Sequence, residues 1–117
     1  MAAPNIVSVT TITGKTAVQS VDTSATAIVT NAVDSGKVFK VNALYVSNID
    51  GTNNAEITVD LFRSSTAYHL AKTIIVPADG TLDVLSKALY LEEGDSLRLT
   101  ANETSDLQAI CSYEEIS

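Results

Sequence analysis

A chain of 117 residues has room for one domain and one core. Aromatic residues make up 5% of it and Trp is absent, so that core must be built from aliphatic side chains. A formal net charge of -7 argues against nucleic acid and against an anionic membrane surface as partners, since both are held by clustered Lys and Arg.

The charge is unevenly placed. Residues 1–47 carry two acids against three bases, a balance of +1, and residues 48–117 carry twelve against four, a balance of −8. A near-neutral part rich in Thr, Ser, Ala and Val thus precedes an acidic body; the acid serves solubility in the simpler reading, and in a sharper, compatible one the first part packs on a partner while the rest faces solvent. The single cysteine, Cys111, rules out an intrachain disulfide. The opening residues show neither a basic start nor an apolar run, so no secretory signal is expected. No stretch reaches the length of a membrane-spanning helix.

In chain order, the first segment holds Ile6, Val7, Val9 and Ile12 and is followed by Gly14. It reads either as an extended arm or as a first strand that Gly14 ends. Residues 16–21 and 25–29 are candidate strands, because Thr, Val and Ile favour extended chain. Residues 37–47 are apolar on both faces, as expected of a central or interface strand. The turn-rich run 48–54 and the alternating stretch 55–61 follow it and suggest a hairpin with a long connection. In that stretch Ala55, Ile57, Val59 and Leu61 face one way, and Glu56, Thr58 and Asp60 are expected in water. Tyr68, Leu70, Ile74 and Val76 share a parity before the turn at Pro77-Ala78-Asp79-Gly80. Further short strands are expected at 81–85, 89–91, 96–100 and 107–114. Between two of them, Glu92-Glu93-Gly94-Asp95 predicts a turn in which Gly94 takes positive φ and Asp95 accepts from backbone amides. Nothing holds a helical apolar period for the dozen or so residues a stable helix needs. The reading is all-β: a single-domain antiparallel β-sandwich, jelly-roll-like, with residues 1–14 as N-terminal arm or first strand and 15–117 as the sandwich.

Chemistry-bearing groups are few. His69 and Cys111 are the only candidates for a nucleophile and its base, but Cys111 shares a parity with Leu107, Ala109 and Tyr113, where an inert buried thiol is expected. One His and one Cys cannot make a zinc set. The acidic turns at Glu92, Glu93 and Asp95 and at Asp50, Asn53 and Asn54 lack the spacing of a calcium loop. The five glycines stand singly, so there is no phosphate-binding loop. No enzyme activity, cofactor or metal is expected.

Four stretches carry a likeness: residues 1–17 (MAAPNIVSVTTITGKTA), 48–62 (NIDGTNNAEITVDLF), 76–82 (VPADGTL) and 90–117 (YLEEGDSLRLTANETSDLQAICSYEEIS). Together they resemble small structural proteins of marine tailed phages, particularly those infecting cyanobacteria. The resemblance implies a virion component assembled in the host cytoplasm. Its candidate roles are a capsid decoration (cement) protein or a neck, tail or fibre accessory. The expected partners are the major capsid protein or another virion protein, and further copies of the chain, by analogy as a trimer. Neither nucleic acid nor membrane is expected. The arm residues Ile6, Val7, Val9 and Ile12 are the candidate partner contacts, and the resemblance brings no catalytic residue with it.

Overall fold

A computed structural model describes residues 4–117. Among these residues there is no helix, and nine strands form two antiparallel sheets. The strands are β1 (Ile12–Ser20), β2 (Thr26–Thr30), β3 (Val38–Asn48), β4 (Ala55–Arg63), β5 (Thr66–Val76), β6 (Thr81–Asp83), β7 (Leu89–Leu91), β8 (Ser96–Ala101) and β9 (Leu107–Ile116). One sheet runs β1-β9-β3-β6, with β7 also paired to β3, and the other runs β2-β8-β4-β5.

The order has a simple origin. The first half of the chain pairs with the second half in reverse: β1 with β9, β2 with β8, β3 with β7 and β6, β4 with β5. That long ribbon is rolled so that β3 also meets β9 and β4 also meets β8. The result is the expected antiparallel sandwich, and its strand order is consistent with a jelly roll.

Alternation supplies the core. Val46, Leu44 and Val41 of β3, Ile57 and Val59 of β4, Leu97 and Leu99 of β8, and Leu107, Ala109 and Cys111 of β9 are all buried between the sheets. A register shift between Val41 and Ala43 changes the facing parity of β3, which is why its sequence is apolar on both sides. As expected for such a strand, β3 is central, with β9 on one side and β6 and β7 on the other.

The hairpin expected between 37–47 and 55–61 is not there. β3 and β4 belong to different sheets, and the polar run between them carries the chain across the sandwich. Asn48, 2% exposed, marks the crossing: its Nδ2 donates to the carbonyls of Asn53 and Val76 at 2.9 and 3.0 Å. Asn31 does the same at the crossing from β2 to β3, donating to the carbonyls of Lys37 and Leu91. Each amide satisfies carbonyls that no strand can reach where the chain changes sheet.

Three further expectations are corrected. Gly14 does not end a strand, because β1 runs from Ile12 to Ser20 straight through it. Asp60 is not in water: it is 2% exposed, held by Arg98 through Nε to Oδ1 at 2.9 Å and Nη2 to Oδ2 at 3.3 Å. The guanidinium itself lies 3.9 Å over the Phe62 ring. The apolar parity of β5 is also mostly uncovered, with Tyr68, Leu70 and Ile74 exposed and only Val76 buried. β5 is an edge strand, and its pairing with β4 slips once at the left-handed residue Thr73 and again between Ala71 and His69, so its face does not follow the core.

The turns behave as their residues require. Gly94 has φ 87°, and Asp95 Oδ2 accepts from the Glu92 N–H at 2.8 Å. Gly80 N–H donates to Pro77 O at 2.8 Å, closing the Pro-Ala-Asp-Gly turn with Asp79 at φ 59°. Ser64 and Ser65, both left-handed, make the tight turn between β4 and β5.

Candidate functional site

The candidate contact residues lie where β1 begins. Residues 4–11 are not a strand. Ser8 N–H donates to Asn5 O and Val7 N–H to Asn5 Oδ1, which folds this stretch into a turn. It is then fastened to the other terminus: the N–H groups of Thr10 and Thr11 donate to Ser117 O at 2.8 and 2.9 Å, and Ser117 N–H donates to Thr11 O. Beyond that clamp the four side chains differ. Val7 is 90% exposed, Ile6 and Ile12 are also exposed, and Val9 is half-buried. Ile12 already belongs to β1, opposite Ile116 of β9.

Beside this segment sits a compact charge group. Glu115 accepts from Lys15 at 2.8 Å and from Lys37 at 3.2 Å, tying β1, β9 and the entry to β3 together. The Lys15 hydrogen bond outweighs the upward push of burial and, with Lys37, holds the Glu115 carboxyl below its usual range. Glu115 thus offsets one of the two lysine charges beside the apolar side chains at the N-terminal end of the domain.

The two residues that could have formed a nucleophile and base are kept apart. His69 is exposed on β5 of one sheet, while Cys111 is fully buried on β9 of the other. Burial pushes the Cys111 thiol up to about 11, away from the thiolate that reacts at neutral pH. Cys111 is therefore expected to resist a thiol reagent in the folded protein and to react on unfolding in urea. Rapid stoichiometric labelling without denaturant would contradict its place in the core.

Most oxygens of the acidic turns are already bonded, Glu93 Oε1 being a buried exception. Asp50 Oδ1 accepts from the N–H groups of Thr52 and Asn53, bonds that lower its pKa, so its oxygens cap their own loop. Asp95 is committed to Arg63 and the Glu92 amide. Among the described residues no group of three His, Cys, Asp or Glu side chains is placed to hold a metal ion.

What sequence reasoning missed is a second exposed apolar feature. Val18, Ile110 and Tyr45 face outward side by side across β1, β9 and β3, at 75%, 47% and 42% exposure. Alternation was the available signal. Cys111 and Ala109 face the core, so Ile110 between them has to face out.

No protein-family model matches the sequence, and no curated protein matches it. Among solved structures, the fold is similar to that of a subunit of Bacillus endospore appendages, a family of disulfide-linked pili. The TM-score is 0.53 at 13% identity, over 92% of this chain and 88% of that one. Two structures of a pentameric capsid protein isolated from metagenomic phage sequences are more distant. Their TM-scores are 0.40 and 0.42, at 18% and 19% identity, with 86% of this chain covering 60% and 62% of theirs. Identities this low speak to fold alone: this chain shares an antiparallel β-sandwich with the appendage subunit.

Proposed function

We propose that this chain is a structural protein of a phage particle that binds the outer capsid lattice as a decoration protein. The observation that carries the reading is the N-terminal segment. Its backbone is clamped to Ser117, yet Ile6 and Val7 project from the domain with their apolar surface in water. An apolar tip on a rigid stalk is suited to a partner's pocket or sheet edge, where each such side chain gains roughly 1.5–3 kcal/mol on full burial. The tip comes from the near-neutral part of a chain whose remainder is acidic, so docking it keeps most of the charge away from the contact. Ile12, on β1 beside the clamp, extends the same contact, and Val9 braces it.

The mechanism is burial across subunit boundaries. A protein that bridges neighbouring capsid subunits adds its binding free energy to what must be overcome before the lattice opens under the pressure of packed DNA. Copies of the chain associate with one another, a trimer being the order that analogy with other small β decorations suggests.

A neck, tail or fibre accessory is the second reading, favoured by the same exposed tip. Quantifying the chain in purified particles separates the two. Hundreds of copies per particle support decoration of the lattice, a dozen or fewer support the neck or tail, and absence from the particle overturns both.

A further inference from the structure

We propose that the free edge of β1 takes up an extended strand of another protein, one that carries an acidic residue, as a further strand of the β1-β9-β3 sheet. This contact goes beyond the tip described above and does not depend on it.

The sandwich has open strand edges at β1, at β6 and β7, at β2 and at β5. Natural sheets blunt their edges by shortness, bulges or charge, because a long regular edge invites another strand. β6 and β7 have three residues each. β2 has five and a register shift between Ala27 and Val29. β5 is long, but it slips twice in register and carries Lys72 beside the left-handed Thr73. β1 differs from all of them. Its nine residues keep one register against β9 from Ile12 to Ser20 without a shift. Its one charged side chain, Lys15, is drawn towards β9 by Glu115 at 2.8 Å and leaves the edge unguarded.

The backbone says what fits there. Thr11 and Ser117 exchange both of their hydrogen bonds, and Val21 N–H donates to Leu107 O. Odd-numbered residues of β1 therefore bond to β9, and the N–H and C=O groups of Ile12, Gly14, Thr16, Val18 and Ser20 point away from it. All five residues are exposed, and among the described residues β9 is the only strand paired with β1. Five donors and five acceptors alternating along a straight edge are matched by the backbone of an extended peptide.

Charge favours a strand of another protein. Around the start of β1, Lys15, Lys37 and Lys40 stand against Glu114 and Glu115, an excess of one positive charge on a chain of net charge -7. An acidic residue on the incoming strand complements that excess. A second copy does not: antiparallel pairing of two β1 strands about Thr16 sets the two Lys15 side chains diagonally across from each other and joins two acidic chains.

The test uses the full chain and a capped nine-residue peptide that alternates threonine and valine about a central glutamate, at up to about 1 mM, with amide hydrogen exchange read by NMR. The peptide is expected to slow exchange of the Ile12, Gly14, Thr16, Val18 and Ser20 N–H groups at least tenfold and to leave β5 unchanged. A peptide with lysine in place of glutamate is expected to bind about threefold more weakly. Thr16→Pro deletes an outward N–H and none of the bonds to β9, so it is expected to keep the melting temperature within about 5 °C while weakening peptide binding at least tenfold. Val18→Pro is the same test two residues on, and the wild-type exchange pattern decides the matter if both variants fail to fold. Exchange that is unchanged, or slowed equally on β5, overturns the proposal, as does binding that survives Thr16→Pro. Equal binding of the lysine peptide overturns the charge assignment. Self-association of the chain, followed by sedimentation equilibrium, is expected to be untouched by Thr16→Pro; association that this variant abolishes would make a second copy the occupant and overturn the assignment to another protein.

Discussion

Replacing Arg98 by methionine is expected to destabilise the domain by about 3 kcal/mol, because it strands a buried carboxylate. Asp60 has a side chain 3% exposed, and its ion pair with Arg98 joins β4 to β8. Methionine keeps an apolar stem over Phe62, the ring the guanidinium now covers, so the loss isolates the two hydrogen bonds and the charge. The cost comes from the partner left behind. Removing both charges, in Asp60→Leu combined with Arg98→Met, is expected to return stability to within about 1 kcal/mol of the wild type. Urea unfolding with an unchanged m-value is the measurement. Equal losses in the single and double variants would show that the methionine itself packs badly and that the ion pair is not what holds the site.

The second large effect is expected at Asp95, and it depends on pH. Burial by itself pushes this carboxyl up, but two hydrogen bonds and the charge of Arg63, with the Glu92 N–H, outweigh it and hold the carboxyl below its usual range. A carboxyl whose pKa is lower folded than unfolded stabilises the fold in its ionised form. That contribution is complete at neutral pH. It begins to shrink as pH falls past the unfolded value of about 3.9, and is gone once pH lies below the folded value. Asp95→Ala is expected to cost about 2 kcal/mol at pH 7, less than the Arg98 change because Arg63 remains half open to water and keeps its pair with Glu92. It should also flatten the acid side of the stability profile. A variant that loses stability in parallel with the wild type down to pH 2 would show that Asp95 is not part of the acid response.

These two carboxylates show what was legible in the sequence and what was not. Asp95 sits in a Gly-Asp turn whose geometry is local, so its role as acceptor for the turn could be read from four adjacent residues. Asp60 sits in a clean alternation, and alternation assigns a face without saying what else covers that face. Its partner Arg98 is 38 residues away, and only the pairing of β4 with β8 brings them together. The same limit explains the expected hairpin between β3 and β4. Periodicity finds strands but not the sheet each joins, and the turn-rich run 48–54 serves equally well as a hairpin loop or as a crossing between sheets. The signal that could have separated the two is Asn48, a polar residue at the end of an apolar strand, which proves to be buried. β5 failed for a related reason: its apolar parity is real, but an edge strand with two slips in register has little core to face.

The candidate site was legible in composition and not in structure. Ile6 and Val7 were recognisable as apolar residues in a near-neutral segment. That this segment is a turn clamped to Ser117 could not be read, because the clamp joins the chain's beginning to its last residue. The clamp also sets where the arm ends. Thr10 and Thr11 belong with the domain, and among the described residues the tip beyond the clamp is residues 4–8.

Removing residues 1–8 is therefore the most direct test of the claim that this segment attaches the domain to a phage particle. The truncated and full-length proteins are compared for melting temperature in isolation and for binding to particles lacking the protein. The account predicts a melting temperature within about 5 °C of full length, since the clamp and every strand remain, together with loss of most particle binding. Binding that is unchanged by the truncation would contradict it.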